Sequence, residues 1–553
     1  MRVPCLLFGL LAAALAAATT AVATAAVTVS TAPTLTSSMV VSAQADASKA
    51  GIAILKAGGN AFDAAAATTL ALGVVEPGSS GLGGGGFFLL YIAKEKRYVM
   101  LDARETSPKL AGDGTLYQTR SSIDGPQAAG VPGIAAGVDH LIQRYGRLKR
   151  AQITQPAITL AQHGFQVSDR LKGMLQWRAK AFNDTGRRIF LHKRLIKQAA
   201  LADTLKRFAK KGAADFYQGE TAGRLVADMK RDGGLIRADD LAAYRVIERE
   251  PVRFDYQDFE IISAALPSSG GLTLAHIFGQ LRDDDLRLLD ETERAHLLIE
   301  SMKRAYRDRN QYLGDADFVS VPDNYLDATR LQRLRSSIHL KATALTALQG
   351  LAEPAGNGTD TTHFSIIDAE GNMVSATLSI NYAFGSAYVS PSTGILLNDE
   401  MDDFATRPGQ PNAYGLVQGT ANAVAPGKRM LSSMTPTFVI GPKRSFIVGT
   451  PGGSRIISMV LLSSLAFMLD EKPPADWLNR GRYHHQFLPD VVQYESGAFT
   501  AATQQALKQR GHHFKQISRR YGNMQAILWQ RESGTLTGIV DQRGEGSAML
   551  LKQ

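Results

Sequence analysis

The segment TTHFSIIDAEGNMVSATLSI, residues 361–380, marks a change in the periodicity of the chain. Residues 361–367 and 373–380 each alternate in polarity with a period of two, as strands do. Between them, residues 368–372 supply the Asp, Gly and Asn that favour a turn. The segment therefore predicts a β-hairpin whose first strand begins at Thr361.

Before the hairpin, the sequence predicts mainly helices. Apolar residues recur at helical spacing through 43–72, and the middle third, 144–348, reads as mostly helical, for example at 222–229 and 291–312. A stretch rich in Gly, Pro and Asn at 352–359 then predicts a loop that leads into Asp360 and Thr361.

The run GLGGGGFFLLY, residues 81–91, contains the G-x-G-x-x-G spacing of a dinucleotide-binding fingerprint. That fingerprint requires a strand before the glycines and a helix after them. Here the order is reversed, so we interpret the run as a tight turn that leads into a buried strand. After the hairpin, strands are predicted at 437–440 and 446–450, and a helix at 456–469. Strands next to long helices indicate sheet layers covered by helices.

Thr361 stands where a self-activated nucleophile is expected, at the start of a strand and after a loop. A threonine hydroxyl needs an adjacent base, and cleavage of the preceding peptide bond would supply one on the same residue. The released α-amino group has a reference pKa of about 7.7–8.0, so a useful fraction is neutral near pH 7. Taken alone, Asp-Thr-Thr at a strand start is more often plain structure, and the surrounding motifs change that interpretation.

Short motifs accompany Thr361 in a fixed order along the chain. They are LDARE at 101–105, TTHFS at 361–365, Asn381, NDEMDDF at 398–404, LSSM at 431–434 and PGGSR at 451–455. Further matches are GGNA at 58–61, GLGGGGF at 81–87, GGLI at 233–236, PSSGG at 267–271, YLGD at 312–315 and HHQ at 484–486. Together they closely resemble the γ-glutamyltranspeptidase family of N-terminal nucleophile (Ntn) hydrolases.

This resemblance covers nearly the whole chain and implies its fold and organisation. The expected fold is α+β, a four-layer αββα sandwich of two stacked, mostly antiparallel sheets flanked by helices. The chain would divide by self-cleavage into a large subunit, 27–360, and a small catalytic subunit, 361–553, which form a heterodimer.

The resemblance also implies the residues that carry out the reaction. Thr361 would attack the carbonyl group of Asp360 in processing and later accept the acyl group. The Ser379 hydroxyl would bond the Thr361 amine or hydroxyl. The backbone N–H groups of Gly452 and Gly453 would form the oxyanion hole, where one donor is typically worth about 10²–10³ in rate.

The substrate-binding residues implied by the resemblance match the two charges of a glutamyl group. Arg104 would clamp the α-carboxylate, because its planar fork fits a carboxylate, and Ser432 and Ser433 would add hydroxyl donors. The α-ammonium group requires acceptors, which would be Asn381, Glu400 and Asp403.

Two further features concern access to this pocket. Tyr414, in the loop 408–428, would act as a lid, and Tyr382 stands where relatives commonly have smaller residues.

The N-terminus has the form of a secretory signal peptide over residues 1–26. Arg2 is followed by an apolar stretch to about Ala18, and then by the small residues ATA at 23–25. A membrane anchor is the alternative interpretation, but the stretch is Ala-rich and lacks a charged stop. With cleavage, the protein would be exported to the periplasm or secreted. Its single cysteine, Cys5, lies within this segment, so the mature chain would contain no disulfide.

Charge and histidine patterns exclude two other classes. The formal net charge is +10, but the basic residues are scattered and lack interleaved aromatic residues, so no nucleic-acid partner is expected. His363, His484–His485 and His512–His513 lack the spacing of a metal site, and we interpret them as structural. No metal and no cofactor are expected.

The expected reaction is cleavage of γ-glutamyl amides such as glutathione, through an ester on Thr361, with transfer to water, an amino acid or a peptide. One alternative is a related Ntn acylase acting on glutaryl-β-lactams or poly-γ-glutamate. Another is a binding protein that retains the scaffold without catalysis.

Overall fold

A computed structural model describes residues 35–340, 361–469 and 473–552. The predicted signal peptide, the predicted loop 352–359 and Asp360 lie outside these ranges.

Within the described ranges, the strands belong mainly to two large sheets. They are β1 (Ser37–Ser42), β2 (Gly85–Ile92), β3 (Arg97–Asp102), β4 (Phe165–Gln166), β5 (Leu195–Ile196), β6 (Ile247–Arg249), β7 (Val252–Tyr256), β8 (Phe259–Ser263), β9 (Thr361–Ile367), β10 (Met373–Ser379), β11 (Thr437–Ile440), β12 (Arg444–Gly449), β13 (Tyr483–His484), β14 (Val492–Tyr494), β15 (Phe514–Gln516), β16 (Gln525–Gln530), β17 (Thr535–Val540) and β18 (Ser547–Lys552).

The described ranges also contain sixteen helices. They are α1 (Ala45–Lys56), α2 (Ala61–Val75), α3 (Ile134–His140), α4 (Arg150–His163), α5 (Asp169–Arg178), α6 (Asp184–Phe190), α7 (Ala199–Lys211), α8 (Ala213–Gln218), α9 (Glu220–Asp232), α10 (Ala238–Ala243), α11 (Gly270–Gln280), α12 (Glu291–Tyr312), α13 (Ala328–Ser336), α14 (Ile456–Leu469), α15 (Pro474–Asn479) and α16 (Ala501–Gln509). Of these, α1, α2, α11 and α14 pack directly on strands of the two large sheets.

The predicted four-layer sandwich is confirmed. One sheet has the order β18-β1-β9-β10-β2-β3-β6 and the other has the order β17-β16-β12-β11-β8-β7, with antiparallel pairing throughout both. The first sheet packs on α1, α2 and α4 through one apolar core, and the second packs on α11, α12 and α14 through another. The inner faces of the two sheets meet through β9, β10 and β12.

The hairpin at 361–380 forms as predicted and lies at the centre of the first sheet. Its two strands are buried along their whole length, because the helix layer covers one face and the second sheet covers the other. The polar face of the hairpin is therefore buried too, and its side chains pair with each other or with the second sheet. His363 Nδ1 lies 2.9 Å from Thr377 Oγ1, and Ser365 Oγ donates to the Gln525 carbonyl at 3.1 Å. These bonds satisfy polar groups that burial would otherwise penalise.

Most of the predicted elements are confirmed, and one region also contains short strands that the sequence pattern did not predict. The helices at 291–312 and 456–469 and the strand at 437–440 have the predicted bounds. The middle third, predicted as mostly helical, also contains β6, β7 and β8. These strands are only three to five residues long, so their period of two is too brief to stand out from the helical pattern around them.

None of the helices in the described part of the chain is both long enough and apolar enough to span a membrane.

Candidate active site

Thr361 and Ser379 face each other across the hairpin, at the end where β9 begins and β10 ends. They are direct partners in the antiparallel register. Their hydroxyl oxygens lie 3.3 Å apart, and both residues are buried. The Ser379 hydroxyl also accepts a hydrogen bond of 2.8 Å from the Asn381 N–H. The hairpin thus positions one hydroxyl beside the other without any charged group between them.

A pocket opens over these two residues. Charged and hydroxyl side chains share its wall with an apolar patch. The lining residues are Arg104, Arg309, Thr361, Ser379, Asn381, Asp403, Tyr414, Leu416, Leu431, Ser432, Ser433, Met434, Gly453, Ser454 and Ile456. Eight of the predicted site residues are among them, namely Thr361, Ser379, Gly453, Arg104, Asn381, Asp403, Ser432 and Ser433, together with the predicted lid residue Tyr414.

Arg104 lies two residues beyond β3 and is almost fully buried among three carboxylates. Its Nη1 atom is 2.6 Å from Glu400 and 3.6 Å from Glu105, and its Nη2 atom donates to Asp403. Burial raises the pKa of Glu105 and Glu400, and the positive charge of Arg104 only partly opposes that effect. The carboxyl groups of Glu105 and Glu400 behind Arg104 therefore favour the protonated, neutral form more than a free glutamate does.

Of the three residues predicted to meet an ammonium group, the structure brings two into the pocket. Asp403 lines it, with 16% of its side chain exposed. Asn381 also lines it, at a backbone φ of +70° that Asn tolerates better than most residues. Glu400 lies behind the wall, fully buried against Arg104. Its predicted contact with substrate stays a prediction, and its observed contact is with the arginine.

The hydroxyl oxygens of Ser432 and Ser433 each accept a hydrogen bond, which leaves the hydroxyl hydrogens to donate. Ser432 Oγ accepts from the Met434 N–H at 3.1 Å, and Ser433 Oγ accepts from Arg309 Nη2 at 2.9 Å. Within the described ranges, no oxygen receives a hydrogen bond from either hydroxyl. Because each oxygen already accepts one bond, the remaining O–H can donate to an anion in the pocket.

Gly452 and Gly453 follow β12 and turn sharply before α14. Their φ angles are +146° and +58°, in a region where glycine is strongly preferred. A side chain at Gly453 would meet the Tyr414 ring at 2.4 Å. In the described part of the chain, neither amide donates a hydrogen bond, so both N–H groups remain available.

Tyr414, within the predicted lid loop, packs over this glycine turn. Its hydroxyl donates to the Asn381 carbonyl at 3.0 Å, and the carbonyl of the next residue, Gly415, accepts from Gln486 Nε2 at 2.9 Å. Tyr382 packs beside Tyr414, with the two ring centres 6.4 Å apart. The loop is therefore hydrogen-bonded both to Asn381, which follows the hairpin, and to Gln486, in the C-terminal part of the chain.

Arg309, which no sequence motif singled out, lies in the last turn of α12 and lines the pocket. A signal existed, because Arg309 precedes the matched motif YLGD and falls within a helix that is buried along most of its length. Local patterns cannot show, however, that this arginine forms a hydrogen bond with Ser433, which lies 124 residues further along the chain.

Four of the five histidines interpreted as structural, namely His363, His484, His485 and His512, make side-chain hydrogen bonds. His484 contacts Ser458 and Gln486, His485 contacts Asp490, and His512 contacts His296. Among the residues that the structure describes, no group of three or more His, Cys, Asp or Glu could hold a metal ion.

Comparison with known proteins identifies relatives along almost the whole chain. The family model of the gamma-glutamyltranspeptidases matches residues 47–551. The glutathione hydrolase proenzyme of Pseudomonas sp. (strain A14) is 40% identical over 500 residues, which cover 86% of each chain. That of Escherichia coli (strain K12) is 36% identical and covers 91% of this chain and 90% of its own. The crystal structure of cephalosporin acylase from Bacillus halodurans superposes with a TM-score of 0.80 at 26% identity, covering 93% of this chain and 96% of that one.

Proposed function

The chain belongs to the γ-glutamyltranspeptidase family, and from that premise we propose that it is a precursor that cleaves itself before Thr361 and then hydrolyses or transfers γ-glutamyl groups. One observation carries this proposal: the buried hydroxyl groups of Thr361 and Ser379 line the same pocket as the charged side chains of its wall.

The pocket wall complements the two charges of a γ-glutamyl group. Arg104 and the donating hydroxyls of Ser432 and Ser433 suit the α-carboxylate. Asp403 and Asn381 suit the α-ammonium group, because a cation requires acceptors. With these ends held, the γ-carbonyl group would lie near Thr361, at the other end of the pocket.

Self-cleavage would begin with attack of Thr361 Oγ1 on the carbonyl carbon of Asp360. The C–N bond breaks as the C–O bond forms, and the proton of the hydroxyl passes to the nitrogen, which leaves an ester. Water hydrolyses that ester, and the products are a carboxylate at Asp360 and a free amine and hydroxyl at Thr361. That amine is the base that the uncleaved chain lacks.

The two resulting polypeptides, 27–360 and 361–553, would stay together as a heterodimer because both sheets interleave their strands. β1 pairs with β18 and β9, β2 pairs with β10, and β8 pairs with β11. Separation would break each of these ladders and expose both cores.

In turnover, Thr361 Oγ1 would attack the γ-carbonyl of glutathione or a related amide while its own amine takes the proton. The Gly452 and Gly453 N–H groups would stabilise the oxyanion, and the amine would return the proton to the leaving group. Water, an amino acid or a peptide then attacks the γ-glutamyl ester and frees Thr361. Asp403 and Arg104 hold the substrate through both steps, and no cofactor is required.

The relatives include a cephalosporin acylase, and this favours one alternative, an acylase for glutaryl amides. The two activities differ in what they require of the pocket. A glutaryl group lacks the α-amine, so Asp403 and Asn381 would have no cation to bind. We favour the γ-glutamyl substrate because the pocket lining includes both residues.

We further propose that residues 1–26 direct export and are then removed. The form of the segment supports this, with its basic start, apolar core and small-residue end.

Two measurements test the proposed function. The wild-type protein should migrate as two bands in a denaturing gel, and N-terminal sequencing of the smaller should begin Thr-Thr-His-Phe. Thr361→Ala should remain a single chain, with activity reduced on the order of 10⁴-fold or more. Thr361→Ser retains a hydroxyl and is the matched control, and it should process slowly.

The substrate is tested with γ-glutamyl-p-nitroanilide and its des-amino analogue, glutaryl-p-nitroanilide. We expect kcat/KM to be higher for the γ-glutamyl compound by about tenfold or more, the value of one charge-assisted hydrogen bond. Equal or greater activity on the glutaryl compound would favour the acylase.

A further inference from the structure

Helix α12 brings a second buried arginine to the pocket, and its surroundings differ from those of Arg104. Arg309 is completely buried and donates to three neutral oxygens, each at 2.9 Å. These are Ser269 Oγ, Asn310 Oδ1 and Ser433 Oγ. No carboxylate of the described residues is in ion-pair contact with it, and Asp403 acts on it only at longer range. A buried charge is costly unless it is paired.

The bond from Arg309 to Ser433 also fixes the polarity of that serine. The guanidinium can only donate, so Ser433 Oγ must accept, and the serine hydrogen is left to donate elsewhere. Ser433 lies in the segment 430–433, which runs between the two arginines. At its start, the Met430 carbonyl accepts from Arg104 Nε at 3.3 Å.

Helix α12 is held in this position by a second bond to the pocket. One turn before Arg309, the Tyr306 hydroxyl donates to the Ser454 carbonyl at 2.5 Å. Ser454 follows the Gly452–Gly453 turn directly. The Arg309 guanidinium lies over the Tyr306 ring, 5.9 Å from its centre. The Arg309 guanidinium is therefore fixed relative to Ser433 and to the Gly452–Gly453 turn.

We propose that Arg309 is a positioning residue for the α-carboxylate of the substrate, which acts by holding Ser433 as a donor and by supplying a positive charge that the bound carboxylate completes. This inference rests on the proposed function. It explains why Arg309 is buried beside the pocket without a carboxylate partner, whereas Arg104 already has three.

The test uses two substrates that differ only in the group concerned. These are γ-glutamyl-p-nitroanilide and 4-aminobutyryl-p-nitroanilide, which keeps the amine but lacks the α-carboxylate. In the wild type, kcat/KM should favour the first. In Arg309→Met, that preference should fall about ten- to a hundredfold, the range expected for a hydrogen bond to a charged group. The loss should appear mainly as a higher KM, with the rate on 4-aminobutyryl-p-nitroanilide nearly unchanged.

Two further variants keep the test decisive. Arg309→Lys retains the charge but not the fork and should retain part of the preference, even if Arg309→Met fails to fold. Arg304→Lys is the matched control, since Arg304 is also a buried arginine of α12 but pairs with Glu300 and Ser337. It should leave the preference unchanged. Adding Ser433→Ala to Arg309→Met should cost little more than Arg309→Met alone, because Arg309→Met already removes the bond that holds Ser433 as a donor.

An equal loss on both substrates in the Arg309 variants would overturn the inference and make the residue a purely structural one. An undiminished preference in Arg309→Lys and Arg309→Met would also overturn it. A wild-type enzyme that shows no preference for the carboxylate-bearing substrate would instead overturn the proposed function, and the inference with it.

Discussion

The two ends of the pocket are built from different chemistry. At one end, the Arg104 guanidinium is surrounded by the carboxyl groups of Glu105, Glu400 and Asp403 in a buried cluster of ionisable groups. At the other end, Thr361 and Ser379 present neutral hydroxyls beside a turn of two glycines, under the Tyr414 ring. On the proposed function, recognition and bond cleavage would fall to separate regions, which the short segment 379–381 connects.

This difference has a consequence for each end. A buried charge cluster depends on every member, since removal of one leaves the others uncompensated. Among the described residues, the Thr361–Ser379 end presents hydroxyl groups and no ionised side chain, and on the proposed function its base would be the Thr361 amine that cleavage releases. Charge changes should therefore be severe at the first end, and small polar changes modest at the second.

Among changes that leave Thr361 in place, the largest effect is expected from Arg104→Met, which removes the central cation. Three buried carboxylates then lack their partner, and the substrate carboxylate loses its clamp. We expect kcat/KM on γ-glutamyl-p-nitroanilide to fall about 10²- to 10³-fold, in the range found when one partner of a buried charge pair is truncated. Steady-state kinetics on the processed enzyme measures this effect.

The matched control is Arg97→Met, on the strand that leads to Arg104. Arg97 pairs with Glu95 at the surface, where an ion pair is worth about 0–1 kcal/mol. This variant should keep wild-type kinetics. If Arg104→Met did the same, the separation of the pocket into a charged end and a neutral end would be wrong.

The sequence predicted the features that local patterns encode. The hairpin start at Thr361, the helix 291–312 and the strand 437–440 follow from periodicity. The position of Glu400 behind Arg104, and the bond from Arg309 to Ser433, do not follow, because each joins segments more than a hundred residues apart. The polar face of the hairpin was also ambiguous, since the same alternation fits a solvent-exposed face and one buried against a second sheet.

A smaller effect, on stability, is expected from Glu105→Gln. Burial raises the pKa of Glu105 from its usual 4.5 to about 8. Because the folded state holds this proton more tightly than the unfolded one, the associated stability is complete below pH 4.5 and is lost as the pH rises through 8. Glutamine has no proton to lose. The thermal midpoint should therefore decline less between pH 5 and pH 8.5 in the variant than in the wild type, as measured by scanning calorimetry.

Glu400 keeps its raised pKa in that variant, so the decline should be reduced and not abolished. Glu370→Gln provides the comparison, because Glu370 is exposed and its bond to Arg147 lowers its pKa. It should leave the slope between pH 5 and pH 8.5 unchanged. An identical slope in wild type and Glu105→Gln would show that the carboxyl is already ionised at pH 5.

The smallest effect is expected from Tyr414→Phe, at the neutral end. The change removes the 3.0 Å bond to the Asn381 carbonyl but keeps the ring over Gly453. A neutral hydrogen bond contributes about 1 kcal/mol net, so kcat/KM should fall by about fivefold.

A looser loop 408–428 would also admit water to the acyl ester, so hydrolysis should increase relative to transfer. This ratio is measured by supplying a dipeptide acceptor and quantifying both products. Tyr388→Phe, which removes a hydroxyl bonded to Asp232 and not to the lid, should leave that product ratio unchanged. A loss in Tyr414→Phe as large as that in Arg104→Met would mean that the hydroxyl takes part in the chemistry, because the loss of one neutral bond cannot produce it.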